Sequence, residues 1–207
     1  MHSFPHGGHV RALAQAAGRA PEDILDFSAN MNPLGPPEWL RVEIGAAVSS
    51  LVHYPDPDCA GLLGAAAKRY GPPVSRFVAG NGTSELLFAL PKAGGLKRAA
   101  LFGPGYVDYE TACRRAGMEV CVHALSPERA FVPSAVDLDA LLADPRPTLV
   151  IIGSPNNPTG ATIQPELLRA AAKRRPDCLF VIDEAFADFD PDFESLTRDL
   201  PDNAAAM

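Results

Sequence analysis

The residues able to do chemistry in this sequence sit at the ends of apolar runs. Asp183 closes the run Leu179-Phe180-Val181-Ile182, and Asn157 follows Leu149-Val150-Ile151-Ile152 within the turn Ser154 to Gly160. A glycine turn, Gly80-Asn81-Gly82-Thr83-Ser84-Glu85, leads into apolar Leu86 to Leu90, and Tyr106 comes soon after the run Ala99 to Phe102. A carboxylate and an amide at strand tips can grip the polar atoms of a small ligand. A glycine turn opening a helix gathers unpaired backbone N–H groups at the positive end of the helix dipole, which suits an anion and most often phosphate. It is not the dinucleotide fingerprint, because Glu85 occupies the third glycine position, and it is not a P-loop, because no Gly-Lys-Ser/Thr follows. A lone phosphate group fits it better. Tyr106 is either a core aromatic or a plate on which a flat ring stacks.

These residues need elements to hold them. The runs around Ile151 and Val181 are near-continuously apolar, as expected of strands in a parallel sheet with helices on both faces. Open α/β sheets bind ligands outside the carboxyl ends of their strands, so Asn157 and Asp183 are expected side by side at one crevice. The remaining pattern alternates in the same way. A helix is predicted over Val10 to Ala17, ended by Gly18, and a proline-rich extended stretch over Ile24 to Pro37. Asn30 and Asn32 in that stretch are turn residues or ligand contacts. Pro37 starts a helix with Trp39, Leu40, Ile44, Ala47, Val48 and Leu51 on one face. After the joint Tyr54-Pro55-Asp56-Pro57-Asp58, Asp58 is expected to cap a helix from Cys59 to Tyr70 closed by Gly71. A short strand over Arg76 to Ala79, strands at Ala99 to Phe102 and Glu119 to Leu125, and a helix around Leu138 to Ala143 complete an α/β fold.

Composition narrows the function. A formal net charge of −7 without a basic stripe excludes nucleic acid as the main partner. Cys59, Cys113, Cys121 and Cys178 form no C-x-x-C pair and no zinc spacing, so reduced thiols are expected. His2, His6 and His9 have no cysteine or carboxylate beside them to complete a metal site, and no metal is predicted. No apolar run approaches the ~18 residues of a membrane span, and no signal-like segment opens the sequence. A cytoplasmic protein without membrane partners is the expectation.

A phosphate cradle, a stacking aromatic, an amide and a strand-tip acid together match a phosphorylated pyridine. A carboxylate at the ring nitrogen favours its protonated form, and a protonated ring withdraws electrons from a substrate carbon. On Asn81-Gly82-Thr83-Ser84-Glu85, Pro155-Asn156-Asn157-Pro158-Thr159-Gly160 and Asp183-Glu184-Ala185-Phe186, the sequence resembles the fold-type I pyridoxal-phosphate enzymes of the class I/II aminotransferase superfamily. Within that superfamily, His6-Gly7-Gly8 and the stretch Leu25 to Gly35 resemble the threonine-phosphate decarboxylases of cobalamin biosynthesis. Histidinol-phosphate aminotransferases share the later motifs and usually lack the His-Gly-Gly.

The resemblance implies a large domain with a parallel-rich sheet and pyridoxal 5′-phosphate as cofactor. It implies Asp183 at the pyridinium nitrogen, Asn157 at the phenolic oxygen, Tyr106 stacked on the ring, and the N–H groups of Gly82, Thr83 and Ser84 on the phosphate. Tyr54 would reach the cofactor phosphate of a partner subunit in a homodimer, and His6, Gly7 and Asn30 would contact a small phosphorylated amino-acid substrate. Phe186 stands where many aminotransferases have tyrosine, which favours the decarboxylase. Residues 1–45 would form an N-terminal arm and part of the small domain, and 46–207 an incomplete cofactor-binding domain. The family's Schiff-base lysine follows the Asp-Glu-Ala-Phe strand, whereas Lys68, Lys92, Lys97 and Lys173 all precede it. The expectation is therefore an N-terminal fragment, inactive alone, with the C-terminal small domain absent.

Overall fold

The computed structural model describes residues 7–32 and 34–207. It separates into two compact units, Met1–Asp58 and Cys59–Met207. In the first unit α1 (Val10–Ala17) ends at Gly18, whose left-handed backbone (φ 61°, ψ 35°) lets its N–H close the last turn on Ala14 and Gln15. Gly7 lies directly against the Ser28 backbone, where no side chain would fit. The Gly8 N–H donates to Ser28 Oγ at 2.9 Å, and Asp26 accepts from the Ser28 hydroxyl and N–H. The paired glycines and the Asp26-Phe27-Ser28-Ala29-Asn30 stretch are thus brought together locally. α2 (Glu38–Ala47) begins after Pro37, one residue later than the sequence pattern places it.

The second unit is built on a fully parallel five-stranded sheet. Along the chain come α3 (Ala60–Tyr70), α4 (Gly82–Ala93), β1 (Arg98–Gly103), α5 (Val107–Arg115) and β2 (Glu119–Ala124). They are followed by α6 (Ala135–Leu141), β3 (Leu149–Gly153), α7 (Pro165–Arg174), β4 (Leu179–Asp183) and β5 (Ala204–Ala206). The strand order is β2-β1-β3-β4-β5. Side chains alternate across a strand, and this splits the apolar runs into two cores. Ala100, Phe102, Val150, Ile152, Phe180 and Ile182 pack against α6 and α7 through Leu138, Leu141, Leu168 and Ala171. Ala99, Leu101, Leu149, Ile151 and Val181 pack against α4 and α5 through Leu87, Tyr109, Ala112 and Cys113. Burying each large apolar side chain contributes roughly 1.5–3 kcal/mol. Both faces are covered, so the strands read as unbroken apolar runs.

Two local expectations are corrected. Arg76 to Ala79 is not a strand: Pro73 leads into a 3-10 turn over Val74–Arg76, the extended Phe77 turns its N–H back onto Val74 O, and Val78 is exposed. Asp58 does not cap α3. Its own N–H donates to Asp56, and the helix starts after Cys59, which takes a left-handed conformation (φ 49°) without a side-chain cap. The amino edge of the sheet is tied by arginines instead. Buried Arg98 donates to Thr148 Oγ1 (3.1 Å) and lies 3.3 Å from Asp144, and Arg175 donates to the carbonyls of Leu142, Asp144, Pro145 and Arg146.

Candidate cofactor site

The alternation that builds the two cores also decides which way the strand tips face. Gly153 and Asp183 are register partners at the ends of β3 and β4, and they continue the series Leu149, Ile151 and Val181 on the α5 side. Asp183 is only 7% exposed. Its Oδ1 accepts from the Ala185 N–H (3.0 Å) and its Oδ2 from the Tyr109 hydroxyl (2.8 Å). Burial, and then the Asp183 charge, push the Tyr109 phenol far above its ordinary pKa, so it remains a donor. A Cβ at Gly153 would stand 2.9 Å from the Tyr109 hydroxyl, so the glycine leaves room for this contact. Tyr109 is the site residue that the sequence reading missed. Its signal was the Tyr-x-x-Tyr spacing, which places Tyr109 in the first turn of α5 just after Tyr106 at the helix start.

The N-termini of α4 and α5 arrive at the same carboxyl edge, because α5 leaves β1 there and α4 runs back from it to the start of β1. Tyr106 precedes α5, half-buried. Its hydroxyl donates to Asp108 (2.9 Å) and its ring meets Tyr109 edge-on, with centroids 5.6 Å apart. Burial and Asp108 raise its pKa, while a hydrogen bond from Ser84 opposes them, so the first turn of α4 is in contact with Tyr106. The structure therefore brings Ser84, Tyr106, Tyr109 and Asp183 together. At the glycine turn, the Gly82 N–H already donates to the Gly80 carbonyl (2.8 Å), and Glu85 accepts from the Asn81 N–H. Thr83 and Ser84 then supply the first-turn N–H groups that a helix leaves unpaired.

Asn157 lies half-buried in the loop after β3. That loop is fixed by its neighbour Asn156, whose amide donates to Pro104 O (3.0 Å) and Thr159 Oγ1 (2.8 Å), and whose backbone bonds Ala161 and Gly160. The Asn156–Pro104 bond joins the loops after β1 and β3. The chain reverses its direction of growth across the sheet between these two strands, the usual place for a ligand in open α/β sheets. Tyr54, 98% exposed, and the exposed Gly7 and Asn30 belong to the first unit, and His6 lies outside the described residues. Lys92 and Lys173 end α4 and α7 and Lys97 precedes β1, so all three lie at the amino edge of the sheet, away from Asp183. Among the described residues no three His, Cys, Asp or Glu side chains gather as metal ligands, and no helix is long and apolar enough to cross a membrane.

The model of the aminotransferase class I and II family matches residues 22–202. The chain belongs to that family. It is 36% identical over 200 residues to the adenosylcobalamin biosynthesis bifunctional protein CobDQ of Leptospira interrogans, covering 96% of this chain and 23% of that protein. It is 35% identical over 202 residues to threonine-phosphate decarboxylase of Salmonella typhimurium (96% of this chain, 54% of that protein). It is 37% identical over 183 residues to histidinol-phosphate aminotransferase of Sphingopyxis alaskensis (84% and 48%). The chain thus spans about half the length of the latter two. The fold matches histidinol-phosphate aminotransferase of Sinorhizobium meliloti in complex with pyridoxal 5′-phosphate, with a TM-score of 0.80 at 23% identity over 99% of this chain and 55% of that one.

The family's cofactor is pyridoxal 5′-phosphate, and the residues at this site fit it. Each Asp183 oxygen accepts one hydrogen bond and keeps acceptor capacity for a ring N–H. The first turn of α4 offers N–H groups and a dipole to a phosphate. The Asn157 side chain takes part in none of the bonds that hold Asn156.

Proposed function

We propose that the protein belongs to an enzyme that decarboxylates L-threonine O-3-phosphate to aminopropanol phosphate for cobalamin biosynthesis. The observation that carries this reading is the reach of the similarity. The matches to CobDQ and threonine-phosphate decarboxylase cover 96% of the chain, whereas the Sphingopyxis aminotransferase covers 84%. The packing of Gly7 and Gly8 on Ser28 gives the N-terminal motif a local structure consistent with a substrate-binding segment. Phe186 supports the same choice, since it brings no hydroxyl where many aminotransferases have one.

In this reading the buried Asp183 carboxylate orients the ring and keeps its nitrogen protonated. The Thr83 and Ser84 N–H groups, with Gly82 shaping the turn, hold the phosphate. Tyr106 stacks on the ring, and Asn157 donates to its phenolic oxygen. When bound, the protonated ring supplies an electron sink for the charge that develops on the substrate carbon. His6, Gly7 and Asn30 contact the substrate, and Tyr54 serves the partner subunit's site in a cytoplasmic homodimer. Residues 1–45 act as arm and part of the small domain, and 46–207 as cofactor-binding domain. In this reading none of Lys68, Lys92, Lys97 and Lys173 is the cofactor's covalent partner, so borohydride treatment of the chain with stoichiometric cofactor labels no one of them in preference to the others.

The second reading is a histidinol-phosphate aminotransferase, favoured by the 37% identity to the Sphingopyxis protein. Incubating the full protein and cofactor with phosphothreonine separates the two. Carbon dioxide release without 2-oxoglutarate supports the decarboxylase. Amino transfer that requires 2-oxoglutarate, with no carbon dioxide, replaces it with the aminotransferase.

A further inference from the structure

We propose that Tyr109 is a positioning residue for the cofactor ring, setting the Asp183 carboxylate and the Tyr106 ring together in the room that Gly153 leaves. The proposal rests on the reading of Asp183 as the partner of the ring nitrogen. Its evidence is geometric. A carboxylate at the end of a strand can turn about its side-chain bonds, and an ion pair with a ring nitrogen needs it held in one plane. Here both oxygens are fixed, Oδ1 by the Ala185 N–H at 3.0 Å and Oδ2 by the Tyr109 hydroxyl at 2.8 Å. Each oxygen keeps a further lone pair for a ring N–H.

The same Tyr109 ring meets Tyr106 edge-on, with an interplanar angle of 85°. One side chain, 4% exposed in the core between α5 and the sheet, therefore fixes both the acid and the aromatic plate. Burial keeps its phenol protonated, so it donates to Asp183 across the working pH range. Gly153 completes the arrangement. A Cβ there would stand 2.9 Å from the Tyr109 hydroxyl and 3.1 Å from Asn156 Oδ1, closer than either atom can accept without moving. The bland alternative is a buried tyrosine whose hydroxyl simply found an acceptor. That role would affect stability and leave the cofactor's electronic state alone.

The test reads the ring nitrogen directly, by nuclear magnetic resonance of the holoprotein loaded with ring-¹⁵N pyridoxal 5′-phosphate. The wild-type protein and the Tyr109→Phe, Gly153→Ala and Asp183→Asn variants are compared, with melting temperatures alongside. Losing the phenol leaves the carboxylate less aligned and more basic, and both changes take the proton away from the ring. Tyr109→Phe is therefore expected to move the nitrogen resonance from the pyridinium towards the neutral pyridine position and to weaken cofactor binding about tenfold. Gly153→Ala, which keeps both partners but displaces the hydroxyl, shifts the resonance the same way. An unchanged resonance in Tyr109→Phe, whatever its melting temperature, overturns the proposal. If that variant does not fold, an unchanged resonance in Gly153→Ala does so. When Asp183→Asn abolishes the pyridinium signal and the other variants leave it alone, only the role of Tyr109 fails. When Asp183→Asn also leaves it alone, the reading of Asp183 fails first.

Discussion

Replacing Thr83 by proline removes one backbone N–H from the proposed phosphate cradle and little that the fold needs. Thr83 is the second residue of α4, and first-turn N–H groups have no acceptor within their own helix. Proline is tolerated in that turn, and the usual clash with the preceding residue is reduced because Gly82 has no Cβ. Stability is expected to change by no more than about 0.5 kcal/mol, the scale of substitutions that break no specific interaction. A hydrogen bond to a charged group contributes about 1.5–3 kcal/mol. Losing one to phosphate should raise the cofactor's dissociation constant roughly 10- to 150-fold. The assay is a fluorescence titration with pyridoxal 5′-phosphate and, in parallel, with pyridoxal, which lacks the phosphate. Thr83→Ala serves as the control for loss of the half-buried side chain. The weakening should appear for the phosphorylated ligand alone and only in the proline variant. Equal weakening for both ligands, or unchanged affinity for the phosphorylated one, would refute the assignment of this helix end to phosphate.

Other outcomes follow from the same contacts. Arg98→Ala leaves Asp144 with Arg146 as its remaining cation, so the loss should stay below the roughly 3–5 kcal/mol of a fully broken buried pair, at about 2 kcal/mol, read as a lower urea midpoint. Ser134→Ala removes the side-chain oxygen that caps α6 together with Asp137, at a cost of about 1 kcal/mol and a fall of about 2–4 °C in melting temperature. For Asp137, burial alone would raise the pKa, but Ser134, Arg129 and His123 outweigh it and hold the carboxylate well below 3.8. Its stabilisation is therefore fully present above the unfolded value of 3.8 and is lost as pH falls from there towards the lower folded value. Urea midpoints measured through that window should fall less steeply in Asp137→Asn than in the wild-type protein.

Much of this architecture was legible in the residue pattern, for identifiable reasons. β3 and β4 start with their apolar runs and extend one residue beyond them, to Gly153 and Asp183, and the runs are unbroken because both sheet faces are covered. α1 ends at Gly18 as read, since the left-handed turn there suits glycine. What went unread depends on partners distant in sequence. Arg76 to Ala79 has strand-like residues, but strand formation requires a neighbouring edge, and none among the described residues pairs with it. Asp58 looks like a cap, yet it belongs to the local turn onto Asp56, and the left-handed Cys59 takes the position before the helix. Gly82 belongs to the cradle motif, but the turn back to Gly80 uses its N–H. The role of Tyr109 becomes visible only when β4 is laid beside β3 and their side-chain alternation aims Asp183 at α5.

The most direct test of the account is a crystal structure of the protein with pyridoxal 5′-phosphate bound. The account predicts the ring nitrogen about 2.8 Å from an Asp183 carboxylate oxygen, with the ring against Tyr106 and the phosphate on the N–H groups of Thr83 and Ser84. A ring nitrogen facing any other group, or a phosphate bound away from the first turn of α4, would contradict it.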